Sequence, residues 1–152
     1  MTDKEAMLSA LEKARQASDG GEVPVGAVVT RDGQIIGEGR NRREKGKNAV
    51  LHAEIEAIEQ ACERVGSWRL HGCELFVTLE PCPMCAGAIV NARLDRVVFG
   101  AYDENGGAVI SRTELFADFG YSPDVVGGYM EKECTEVLTG FFKKRREVET
   151  AN

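Results

Sequence analysis

Two short stretches hold the residue types that do chemistry, His52-Ala53-Glu54 and Pro81-Cys82-Pro83-Met84-Cys85. Each follows a loop and opens a predicted helix. Cys82 and Cys85 are spaced so that a helix sets both thiols on one face. The partial positive charge at a helix N-terminus favours the thiolate form that a metal needs. His52 adds an imidazole. Two thiolates and an imidazole suit tetrahedral Zn²⁺, and three protein ligands leave a fourth position for water. Zinc lowers the pKa of such a water toward about 7. Glu54, left unligated, is then placed to take the proton and pass it on. Residues two apart on a helix point roughly 200° away from each other. His52 and Glu54 can therefore share a site only off the helix end. The spacing predicts two helix N-termini converging on one metal.

Other chemistries fit parts of this pattern. A Cys-x-x-Cys pair alone suits a thioredoxin-like redox centre. A structural zinc wants a fourth protein ligand, and His71 and Cys73 are near in sequence. The combination of His-x-Glu with a later Pro-Cys-x-x-Cys is far more restrictive, and it is the signature of zinc deaminases.

The elements that must position these residues are legible in the periodicity. Residues 3–18 read as a helix with Met7, Leu11, Ala14 and Ala17 on one stripe, ended by Gly20-Gly21. Strands are predicted at 23–30 and 34–40, joined by a hairpin turn through Asp32-Gly33. A basic loop over 41–50 leads to a helix starting near His52, with Ile55, Ile58, Cys62 and Val65 as its apolar face. Strand 73–79 precedes a helix at 82–92 that is apolar all round and so expected to be buried. Strand 95–101, a short helix near 111–118 and a short strand near 124–127 follow. A final amphipathic helix over 130–146 carries Cys134, Val137, Leu138, Phe141 and Phe142. The alternation predicts one domain over residues 1–152, an α/β sandwich with helices on both faces of a mixed sheet.

The chain has 152 residues, 43% hydrophobic and 29% charged, enough for one domain with its own core. No apolar run is long enough to span a membrane, and residues 1–11 lack the plan of a signal peptide, so the expected location is cytoplasmic. Five cysteines in such a compartment argue against a disulfide framework, and Cys62, Cys73 and Cys134 read as small buried hydrophobes. The net charge of -6 disfavours nucleic acid, but the cations cluster at Arg40–Lys47 and Lys143–Arg146. Either cluster also reads as a solvated loop or a helix C-terminus.

The sequence resembles the cytidine deaminase-like superfamily, and within it the bacterial tRNA-specific adenosine deaminases. The matching stretches run from Glu22-Val23-Pro24-Val25-Gly26-Ala27-Val28 and Ile36-Gly37-Glu38-Gly39-Arg40-Asn41 through the two motifs to Arg96-Val97-Val98-Phe99-Gly100-Ala101, Glu133-Cys134 and Phe141-Phe142. The resemblance implies a three-layer α/β/α sandwich around a five-stranded sheet, one zinc per chain and a homodimer. It implies hydrolytic conversion of adenosine to inosine in the tRNA anticodon loop, at the wobble position. Asn41 matches an asparagine that hydrogen-bonds the target base, and Asp103 matches a position near the substrate nucleotide; a strand-end cap and a turn residue are their plainer readings. Many relatives carry Asn-His-Arg where this chain has Gly120-Tyr121-Ser122. That replacement and the acidic balance keep a second expectation open, a deaminase of free guanine, adenine or cytosine bases or nucleosides.

Overall fold

Thr2 opens the first helix by accepting a hydrogen bond from the Glu5 amide at 3.2 Å in the computed structural model, which describes residues 1–151. Helix α1 (Asp3–Asp19) buries Ala6, Met7, Ala10, Leu11, Ala14 and Ala17. Strands β1 (Gly26–Arg31) and β2 (Gln34–Arg40) are joined by Asp32 and Gly33, both at positive φ, as a two-residue hairpin requires. Then come α2 (Arg43–Gly46), α3 (Ala53–Val65), β3 (Cys73–Leu79), α4 (Pro83–Ala92) and β4 (Arg96–Ala101). A 3-10 turn (Leu115–Asp118), β5 (Asp124–Val126) and α5 (Glu131–Ala151) complete the chain.

The strands form one mixed sheet in the order β2-β1-β3-β4-β5. β1 is antiparallel to β2 and β3, while β3, β4 and β5 are parallel. Period-two alternation divides the core. Val28, Phe76 and Val98 face α1 and Cys134 of α5. Ala27, Val29, Leu75, Val77, Val97 and Phe99 face the other way, toward Ala57, Ile58, Ala86 and Ile89 of α3 and α4. This is the expected α/β/α sandwich.

The pairing also decides where a site can be. Gly26 at the start of β1 pairs with Arg40 at the end of β2, and Ala27 pairs with Val77 near the end of β3. Leu79 pairs with Ala101 at the end of β4. Segments 22–25, 41–52, 80–82 and 102–111 therefore all leave the sheet at one edge, the carboxyl ends of the parallel strands.

Several details depart from expectation. The buried face of α3 is Ala53, Glu54, Ala57, Ile58 and Ala61, whereas Ile55, Cys62 and Val65 are only half-buried. Gly37 and Gly39 explain the shift. A Cβ on Gly39 would lie 2.2 Å from the Ala53 carbonyl, and one on Gly37 2.2 Å from that of Ala57. Bare strand against alanine helix gives close packing that a larger apolar stripe would prevent. Helix α4 is not buried all round, since Gly87 and Ala88 are half-buried and Asn91 is exposed. The expected loop at 41–50 contains α2, β1 starts only at Gly26, and the helix near 111–118 shrinks to the 3-10 turn. Phe142 on α5 is exposed, while its neighbour Phe141 is half-buried. Cys73 and Cys134 are buried as expected, while Cys62 is half-exposed. No helix among the described residues is long and apolar enough to cross a membrane.

Candidate metal and catalytic site

His52 and Cys82 each occupy the residue before a helix, with extended backbone at φ -84° and -76°. Neither side chain caps its own helix, so both are free to face outward. Pro83 starts α4 with the φ a helix needs and no amide to waste. The two N-termini converge. His52 Nδ1 lies 3.6 Å from Cys82 Sγ and 3.6 Å from Cys85 Sγ. The donor atoms of these three residues lie within 4.8 Å of one another. Among the described residues no other group of three such donors gathers in this way, and neither His71 nor Cys73 joins it. A tetrahedral ion with two sulfurs, one nitrogen and an open position fits this donor set.

The charges fit as well. Hydrogen bonds from Cys85 and His52 hold the Cys82 thiol down at about 4, a ready thiolate. The hydrogen bond to Cys82 raises His52 above its usual value. Cys85 is fully buried and keeps its proton when it donates to Cys82. Glu54 stands two residues into this end of α3, 4% exposed. Desolvation pushes its carboxyl up to about 7. A carboxyl poised near neutrality suits proton transfer in both directions.

A cavity of about 170 Å³ opens beside the cluster, lined by Asn41, His52, Glu54, Leu79, Cys82 and Asp103 among others. All the residues singled out from sequence except the buried Cys85 line it. Asn41 accepts the Ala53 amide on Oδ1 at 3.0 Å, giving α3 the cap that His52 does not provide. Its Nδ2 has no hydrogen-bond partner among the described residues, and the residue lines the cavity. Asp103 accepts the amides of Asn105 and Gly106 at 3.1 Å each, so it is a turn residue as well as a wall residue. The basic segment divides its charges. Arg40 donates to Gln16 and Arg42 pairs with Glu56, each at 2.9 Å, while Arg43 lines the cavity. Arg145 of α5 reaches the same mouth.

Two buried carboxylates escape a reading from sequence. Glu22 accepts the amides of Glu44 and Lys45 at 3.1 and 2.9 Å, holding α2 against the cavity. Glu80 accepts from the segment 103–111 on the other side. No pattern of side-chain types marks them, since their partners are backbone amides. The run Gly120-Tyr121-Ser122 lies away from all this. It precedes β5, whose Asp124 pairs with Arg96 at the opposite edge of the sheet, and the Tyr121 hydroxyl donates to the Leu94 carbonyl at 2.7 Å.

Comparison with known proteins agrees with the geometry. The tRNA-specific adenosine deaminase of Bacillus subtilis is 43% identical over 151 residues, covering 98% of this chain and 94% of that one. That of Agrobacterium fabrum is 45% identical over 139 residues, 90% of this chain and 91% of its own. A structure from work on A-to-I editing by tRNA:A34 deaminases at the wobble position superposes with a TM-score of 0.86 at 44% identity, covering 89% of this chain and 99% of that chain. A guanine deaminase from Bacillus subtilis superposes at 0.64 with 38% identity, over 67% of this chain and 66% of its own. The profile of the MafB19-like deaminases matches residues 1–146, and with these relatives spanning nearly its whole length the chain belongs to that deaminase family.

Proposed function

We propose that this protein is a zinc-dependent hydrolase that converts adenosine to inosine, with release of ammonia, at the wobble position of a tRNA anticodon. The observation that carries the reading is the His52-Cys82-Cys85 cluster with Glu54 buried beside it, opening into a cavity that Asn41 walls. His52, Cys82 and Cys85 would hold one zinc, which when bound makes a water nucleophilic at neutral pH. Glu54 accepts the proton of that water and delivers it to the ring nitrogen. A second proton passes through the same carboxyl to the leaving amine. Asn41 presents its free Nδ2 to the base, and Asp103 stands where the flanking nucleotide would pass.

The arginines at the cavity mouth support a polymer substrate. The cavity, about 170 Å³, is smaller than the roughly 300 Å³ of a pocket for a drug-sized ligand and has room for a base alone. A base enters, and the rest of the substrate stays outside, where Arg43 and Arg145 meet its phosphates. Inosine measured by mass spectrometry in an anticodon stem-loop, at low salt and with zinc confirmed, tests the proposal; its absence would sink it. Arg43→Glu and Arg145→Glu should each lower RNA affinity and reduce the slope of log K against log salt by about 1. An unchanged slope removes those residues from the RNA contact.

The likeness to a guanine deaminase keeps one alternative, a deaminase of free guanine, adenine or cytosine bases or nucleosides. Ammonia release from free purines and pyrimidines, without inosine in RNA, would favour it. We also read the protein as a cytoplasmic homodimer built of a single deaminase domain. The apolar groove lined by Ile55, Ile58, Cys62, Trp68 and Ala88, with Trp68 55% exposed, offers a face for a second copy. Sedimentation as a monomer at micromolar concentration would overturn the dimer.

A further inference from the structure

Glu80 sits between the last residue of β3 and Pro81-Cys82, and it is 2% exposed. Among the described residues no cation pairs with it. Its carboxylate instead takes five hydrogen bonds from one loop. Oε1 accepts the Asp103 amide at 3.1 Å and the Ser111 hydroxyl. Oε2 accepts the amides of Val109, Ile110 and Ser111 at 3.2, 2.7 and 2.8 Å. Gly107 lies against the carboxylate, and a Cβ there would come 2.4 Å from its carbon. A buried charge that converges on amides of a single wall loop is costly to leave unmet, so the loop is fixed by it.

We propose that Glu80 is a positioning residue: it ties the wall loop carrying Asp103 to the thiol-bearing segment, and through Asp103 it sets how tightly the substrate binds. The inference rests on the RNA deaminase reading of the site. The two oxygens do different work. In Glu80→Gln one oxygen becomes an amide donor. Directed at the three amides of 109–111 it would meet three donors. Directed the other way it meets the Asp103 amide and a hydroxyl, which can rotate to accept. Glutamine therefore keeps the 109–111 anchor and releases Asp103 alone.

The test is a double-mutant cycle on the zinc-loaded protein with an anticodon stem-loop as substrate. Glu80→Gln, Asp103→Ala and the double variant are compared in kcat, KM and zinc content. Releasing a charge-assisted anchor should raise KM about tenfold, with kcat within about twofold of wild type and zinc retained. Because Glu80 acts through Asp103, the double variant should be no worse than Asp103→Ala alone. An unchanged KM in Glu80→Gln, full additivity in the double variant, or a loss of kcat or zinc with KM unmoved would each overturn the assignment. If Glu80→Gln does not fold, Glu80→Asp keeps the charge but draws it one methylene back from the Asp103 amide. It should raise KM about threefold with kcat held, and an unmoved KM overturns the assignment equally. Wild-type protein that makes no inosine would instead sink the functional reading itself, a result distinct from all of these.

Discussion

Glu54→Gln should lower turnover by about 10³-fold while zinc content stays at the wild-type level. The side chain is isosteric, so the packing of α3 against β2 is kept. Glu54 is not among the donors that gather at the cluster, so the substitution removes no ligand. What disappears is the carboxyl that burial has pushed up to about 7. An amide can neither take a proton from water nor return one to the ring nitrogen. Both proton transfers fail together, which places the loss well inside the range for general acid-base groups rather than at its lower end. KM should move little, because Asn41 and the cavity walls are intact. Single-turnover rates on an anticodon stem-loop, with zinc measured on the same sample, check this. Turnover within tenfold of wild type would remove Glu54 from the proton path.

The core of this site is local in sequence, and that is why it can be read there. His52 with Glu54, and Cys82 with Cys85, are each fixed by a single helix start, so spacing alone dictates how each pair projects. The hairpin is equally legible, because Asp32-Gly33 dictates its turn. Other features depend on contacts between distant segments. The buried face of α3 follows from two glycines in β2, not from the helix's own apolar stripe, and Ile55 is displaced from it accordingly. The division of the basic segment also needs partners. Arg42 is neutralised by Glu56 and Arg40 is engaged by Gln16, while Arg43 is free to serve the cavity. Glu22 and Glu80 are invisible for the same reason. A carboxylate that accepts backbone amides leaves no pattern in side-chain types, since every residue but proline supplies an amide.

Cys82→Ala should reduce zinc to background and abolish detectable deamination, with the fold retained. Three protein donors are the minimum that leaves the open position an enzyme of this kind uses, and removing one leaves an imidazole and a single thiol. Cys82 is the stronger choice of the two sulfurs for this test. It is half-exposed, and its thiol is held at about 4, so it is the thiolate already formed when metal arrives. Its side chain makes no capping bond to α4, and its loss does not release the helix start. Far-ultraviolet circular dichroism and the melting temperature of the metal-free protein should therefore match those of metal-free wild type. Cys85→Ala would confuse the two effects, because that thiol is fully buried in the core and its removal leaves a cavity costing about 1 kcal/mol. Elemental analysis of zinc beside an inosine assay decides the matter. A Cys82→Ala protein that keeps stoichiometric zinc and normal turnover would show that the thiolate at the mouth is not a ligand. The surviving pair, His52 and Cys85, would then need a donor from outside the cluster.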